Sequence, residues 1–271
     1  MKDSVNNIMD SFNDIGFLSP DLNGWMTEAR KDFEAGFDAA EAVNRLAMKV
    51  LYDLPAENMT AAHVLANACY GCALQSFQGV ILLAKRGMLS DARTLARSCT
   101  ESVIALAAAK VDQTMPEQME ESYDHHRLKL ANALLEEKKQ LGFADNSEMR
   151  QTIDDIRNKY GTNGPRQINW EAKARCGGVI ALYTAAYRLT SGDGAHTTMR
   201  ALDRHMTQDA NGNLLGFKFC PDKSDIDSIL FLACSAMVSA LGLIKEWFDL
   251  SAHQGELSAC IENWKQMRVG T

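Results

Sequence analysis

Only five prolines interrupt this 271-residue chain, and Pro20, Pro55, Pro116, Pro165 and Pro221 all fall between runs of apolar residues spaced like helix faces. Proline removes a backbone donor and collides with the preceding turn, so a chain that keeps it out of its periodic runs is free to build long helices. The runs predict helices over 20–37, 38–53, 58–86, 90–112, 116–141, 147–160, 170–190, 196–207 and 224–251, with a tail helix near 256–267. Start and stop signals support them. Thr114-Met-Pro-Glu117 reads as a capping box with proline in the first turn, Ser90, Ser147, Asn169 and Ser224 open other runs, and Gly161 closes one. Arg86-Gly87-Met88 is a tight turn that should fold two long helices antiparallel. The two most apolar runs, 58–86 and 224–251, are expected at the centre. One stretch departs from the helical pattern. Around the turn dipeptide Asn211-Gly212, with Leu214–Phe219 as a short strand, it reads as a hairpin-like loop on a helical body.

No repeat, low-complexity tract or Pro/Gly/Ser linker divides the chain. The expected fold class is all-α: a single-domain helical bundle with an N-terminal helical extension (1–57), an all-helical core (58–254) and a C-terminal tail helix (255–271). Length and a 46% hydrophobic content suffice for a core without disulfides or metals. The net charge of −7 excludes a global basic field for nucleic acid or anionic lipid, though not a local basic patch.

Asp3 and Asp10 interrupt the N-terminus, so it lacks a signal-peptide core. Ile229–Ile244 is the longest uncharged apolar stretch, but Ser235 and Ser239 break it and it falls short of the roughly 20 residues of a membrane span. Ala61–Ala84 is uncharged too, but holds Asn67, Gln75 and Gln78. A cytoplasmic chain without membrane contact is expected. Seven scattered cysteines should then be reduced. Cys69 and Cys72 form a Cys-x-x-Cys inside a helical run, away from the helix start where a redox thiolate is stabilised. The cysteines are read as core residues.

Several motifs fail on spacing. Asp209-x-Asn211-x-Asn213 begins like a calcium loop, but Leu214 and Cys220 occupy the positions that need Gly and Glu. No Glu-x-x-His supplies a di-iron site. Glu121 and His125 read as an i,i+4 pair on a solvated face. No metal and no cofactor are expected.

Two constellations remain. Arg93, Arg97 and Glu101 share one helix stripe within an otherwise apolar run, as either a boundary salt-bridge ladder or a buried polar network facing a cleft. If buried, Glu101 must neutralise an arginine. The second is Ser191-Gly192-Asp193-Gly194, a turn followed by His196 in a predicted first helical turn, with Arg188 before it and Arg200 one turn after. Helix-start N–H groups favour anions, so this reads either as a phosphate-handling site or as a surface turn whose side chains cap and solvate.

On Gly87, Ala92, Arg93, Arg97 and Glu101, then Trp170, then Tyr183, Tyr187, Arg188, Ser191 and His196, the chain resembles a bacterial family of helical proteins of unknown function, over roughly residues 60–205. That family is in turn similar to the HEPN superfamily of helical nucleotide-binding and RNA-cleaving domains. The resemblance implies a metal-independent endoribonuclease, or an inactive relative, in a toxin or antiviral-defence system and acting as a homodimer. HEPN ribonucleases carry an Arg and a His with four to six residues between them. Arg188 and His196 have seven between them. Arg200 and His205 have four, but five steps along a straight helix turn about 140°. Arg188 and His196 are therefore the expected catalytic pair, with Arg97, Glu101, Asp193 and Arg200 supporting and His205 in reserve. The competing expectation is a non-catalytic helical module that dimerises or binds a partner protein or nucleotide, which the acidic net charge favours.

Overall fold

The computed structural model describes residues 11–141, 147–188 and 202–267. Over these residues the fold is all-α apart from one small hairpin. A short 3-10 turn, Gly16–Leu18, leads into α1 (Leu22–Asp32) and α2 (Glu34–Tyr52). The break between them comes at Phe33, earlier than the periodicity predicts, because Phe33 leaves helical geometry and packs its ring against the core. Next come α3 (Ala61–Lys85), α4 (Leu89–Val111), α5 (Met115–Gln140) and α6 (Ser147–Tyr160). They are followed by α7 (Trp170–Cys176), then α8 (Ile180–Leu182), which runs into a π-helical turn at Tyr183–Tyr187. Strands β1 (Met206–Gln208) and β2 (Leu214–Phe217) precede α9 (Ile226–Trp247) and α10 (Gln254–Gln266).

Local chemistry sets several of these boundaries. Thr60 caps α3 by accepting the His63 amide, while its own N–H donates to His63 Nδ1 at 3.2 Å, a reciprocal box with histidine in the usual Glu position. The expected box at Thr114 does not form. Its hydroxyl donates instead to Asp112 at 2.7 Å, and of the predicted signal only proline in the first turn remains. Asn169 caps α7 as expected, its side-chain oxygen accepting the Ala172 amide at 3.0 Å. Gly87 makes the α3–α4 turn with φ +70°. A Cβ there would come within 2.6 Å of both the Asp222 amide and the Trp25 ring, so only glycine fits.

The core lies between α3, α4 and α9, with α2 and α10 closing one side. α4 shares the centre with the two runs expected there, and its segment Val103–Ala109 is buried without a break. The buried Tyr70 satisfies its hydroxyl by donating to the Ala47 carbonyl at 2.9 Å. α9 is 22 residues long, longer than the stretch read from sequence, and reaches the length and apolarity of a membrane span; half of that span is buried inside the fold.

Two predicted helices are corrected. The run 170–190 is broken after Cys176. Gly177 presses on Ala107 of α4, where a Cβ would stand 2.7 Å from the Ala107 methyl, and Gly178 follows at φ +72°. The run 196–207 ends in strand: Met206–Gln208 pairs antiparallel with Leu214–Phe217 across a bulge at Thr207/Gln208. The Asp209 carboxylate holds the turn by accepting the Asn211 and Asn213 amides, both at 2.8 Å.

The cysteine reading is half corrected. Cys69, Cys99, Cys234 and Cys260 are buried, whereas Cys72, Cys176 and Cys220 are exposed. Burial pushes the Cys69 and Cys99 thiols up to about 12, so neither is a thiolate near neutral pH.

Candidate functional site

The polar stripe lies on the half of α4 that precedes its buried segment, and its side chains are half-buried. Arg93 pairs with Asp225, the residue that opens α9. One turn on, Arg97 donates from Nη2 to the Tyr187 hydroxyl at 3.0 Å, and its guanidinium carbon stands 4.7 Å from the centre of the Tyr187 ring. Tyr187 in turn stacks on Tyr183, with ring centres 5.1 Å apart and planes 18° from parallel. Burial raises the pKa of Glu101 above its ordinary value, and the Arg97 charge offsets part of that rise. The stripe is thus neither a simple ladder nor a sealed network. Its two arginines reach different elements, and Glu101 meets Arg97 only through space.

Tyr183 and Tyr187 bound the π-helical turn. The Arg188 amide donates to the Tyr183 carbonyl, five residues back, and leaves the Arg188 side chain exposed. π turns are rare and recur at functional sites. His196, Asp193 and Arg200 lie outside the described residues. The contact between Arg97 and Tyr187 therefore joins the two sequence constellations, and Arg188 comes immediately after it in the chain.

The reserve residue His205 lies elsewhere. Its Nδ1 stands 3.3 Å from the Lys218 carbonyl, and its ring stacks on Phe219 at 6.3 Å. Both border a cavity of about 620 Å³ that Arg93, Ser90, Arg204 and Lys218 also line. Asp91, Asp203, Asp222 and Asp225 line it as well, so its charges are nearly balanced. Arg93 belongs to both places. It lies about 6 Å along α4 from Arg97, which makes the stripe a bridge between the tyrosine pair and the cavity. Sequence reasoning missed Asp225, Lys218 and Phe219. Phe219 carried a signal, as an aromatic beside a lysine just after the turn dipeptide.

The Glu121–His125 pair is also corrected. Glu121 instead receives two hydrogen bonds from the Arg166 side chain, at 2.9 and 3.2 Å, and His125 Nδ1 lies 2.8 Å from the Pro165 carbonyl. A second cavity of about 690 Å³ opens there between the first turns of α5 and residues 159–173, and its charges are largely paired, Lys159 with Glu120 and Arg166 with Glu121. Among the described residues no group of three or more His, Cys, Asp or Glu side chains could hold a metal ion.

Residues 63–214 match the model of a family of unknown function, DUF5677. The chain belongs to that family. The DUF5677 region begins inside α3 and ends at the start of β2, so it contains the stripe, the tyrosine pair and His205 but not Lys218, Phe219 or Asp225. No curated protein and no solved structure matches the chain.

Proposed function

We propose that this member of DUF5677 is an HEPN-like, metal-independent endoribonuclease of a bacterial toxin or antiviral-defence system, cytoplasmic and working as a homodimer. The observation that carries the reading is the Arg97–Tyr187 contact. It ties two motifs ninety positions apart in sequence into one junction that ends on the exposed Arg188. In this reading a neutral His196 takes the proton of a ribose 2′-hydroxyl, the group that separates RNA from DNA. Arg188 stabilises the charge that develops on the phosphate. Arg97, already engaged by Tyr187, is a positioning residue, and Glu101 sets its electrostatic surroundings. Asp193 orients the imidazole and Arg200 adds to the phosphate field.

The test is cleavage of single-stranded RNA by the full chain in EDTA. His196→Ala and Arg188→Ala should each lower the rate by about 10²- to 10⁴-fold, with melting temperatures equal to the parent, while His125→Ala leaves the rate unchanged. Full activity in His196→Ala with loss in His205→Ala would move the base to the cavity.

A second reading rests on the cavity itself. Its four carboxylates and the Arg93–Asp225 pair make it a poor phosphate cradle and a better place for a neutral or zwitterionic ligand. A parent protein that cuts no RNA with or without metal would favour this non-catalytic binding module.

A further inference from the structure

Arg97, Tyr187 and Tyr183 form a pile whose members differ in how they are held. Tyr187 is fixed twice, by the Arg97 hydrogen bond to its hydroxyl and by the guanidinium over its ring. Tyr183 is stacked on Tyr187 but is absent from the side chains that pack on the central core, and it is only half-buried. Among the described residues its hydroxyl makes no hydrogen bond. The π turn then sets Arg188 one turn beyond it, amide bonded to the Tyr183 carbonyl and guanidinium exposed. A rigid aromatic ring at the surface, with a cation one turn away, matches the two ends of a single nucleotide.

We infer that Tyr183 is a stacking platform for an unpaired nucleobase, with Arg188 taking the phosphate of the same nucleotide. The inference rests on the RNA-handling reading above and narrows its substrate to single-stranded RNA without fixed sequence. Every base has a π face, so stacking on tyrosine tolerates any of them, whereas a base inside a duplex has both faces covered by its neighbours. Arg97 contributes by holding Tyr187, and through it Tyr183, in place before the strand arrives, so little ordering remains to be done on binding.

The experiment uses the full chain and a short fluorescein-labelled 2′-O-methyl RNA, which has no free 2′-hydroxyl to react. Binding is read by anisotropy for the single strand and for the same strand annealed to its complement. The single strand should bind more tightly. Tyr183→Leu should weaken it by about 5- to 150-fold, the equivalent of one stacked base, and Tyr183→Phe should stay close to the parent because it keeps the ring. A probe of the same length with every base removed should bind the parent more weakly and leave Tyr183→Leu nearly indifferent.

A folded Tyr183→Leu that binds like the parent overturns the platform, as does a duplex bound as well as the single strand. If Tyr183→Leu does not fold, the comparison on the intact chain decides, and a fully abasic strand bound as well as the base-bearing one overturns it. The two claims fail separately. Binding that depends on Tyr183 without any RNA cleavage removes the nuclease and keeps the platform. Cleavage that ignores Tyr183 removes the platform and keeps the nuclease.

Discussion

From Val103 to Ala109 helix α4 is buried on every side, while from Arg93 to Glu101 the same helix carries a charged stripe that is only half covered. In the buried segment the side chains are mostly alanine. Small side chains let a neighbouring backbone come close, and Gly177 does so against Ala107. Nothing there asks for a polar partner, so packing alone decides what lies against it. In the other half each charge needs an answer, and the answers come from separate parts of the chain: Asp225 at the start of α9 for Arg93, Tyr187 of the π turn for Arg97. Close packing thus anchors α7 to this helix, and polar contacts then steer the segment that leaves α7. The candidate site sits where one mode gives way to the other.

Three measurements put this division of α4 to the test. The largest effect is expected from Gly177→Ala. Its Cβ would stand 2.7 Å from the Ala107 methyl and 2.8 Å from the Ala107 carbonyl carbon, and backbone cannot swing aside as a side chain can. Overpacking of this kind costs about 1–3 kcal/mol, read as a melting temperature lower by roughly 2–4 °C per kcal/mol. An unchanged melting temperature would show that the apolar half is looser than its burial implies.

Glu101→Gln should act in the opposite direction. Burial holds the Glu101 pKa above its ordinary value, so the folded state binds that proton more tightly than the unfolded chain does. The stability this contributes is full below the ordinary carboxylate range and lost as pH rises through the folded value. Removing the charge should therefore raise the melting temperature at neutral pH, and the gain should close as pH falls into that range. A variant less stable than the parent at neutral pH would mean that the ion, not the burial, dominates at this position.

The smallest effect is expected from Asp225→Asn. The Asp225 side chain is 44% exposed, so its pair with Arg93 is screened and worth about 1 kcal/mol or less. Denaturation in low and high salt should show the gap between parent and variant shrinking as salt rises. A loss several times larger, insensitive to salt, would make the charged half of α4 behave like its core.

The helices were largely legible in sequence because their signals are local: prolines outside the runs, Asn169 as a cap, Gly87 and Gly161 as stops. What was missed depended on distant residues. Cys176-Gly177-Gly178 looked like part of one helix, since nothing nearby reveals that Ala107 would press on Gly177. The Thr114 box failed because Asp112 competes for its hydroxyl, and Glu121 left His125 for Arg166, forty-five positions away. Of the site, the stripe and the Tyr-Arg turn were legible as motifs. Their meeting through Arg97 and Tyr187 was not, because no spacing rule links residues from two separate helices. Nor does the sequence announce the π turn, whose residues are ordinary helix formers and aromatics.

That turn gives the junction a phase. Each residue of a helix advances the chain by about 100°, and a π turn takes up one residue more than the α turn it replaces. If the same residues closed as ordinary helix instead, Arg188 would swing by about that angle around the axis, with every side chain still present. A chain that lost the π turn would keep its composition, its helix content and its core, yet aim its arginine at a different quarter of the surface. For this segment, the kind of turn is as much a part of the specification as residue identity.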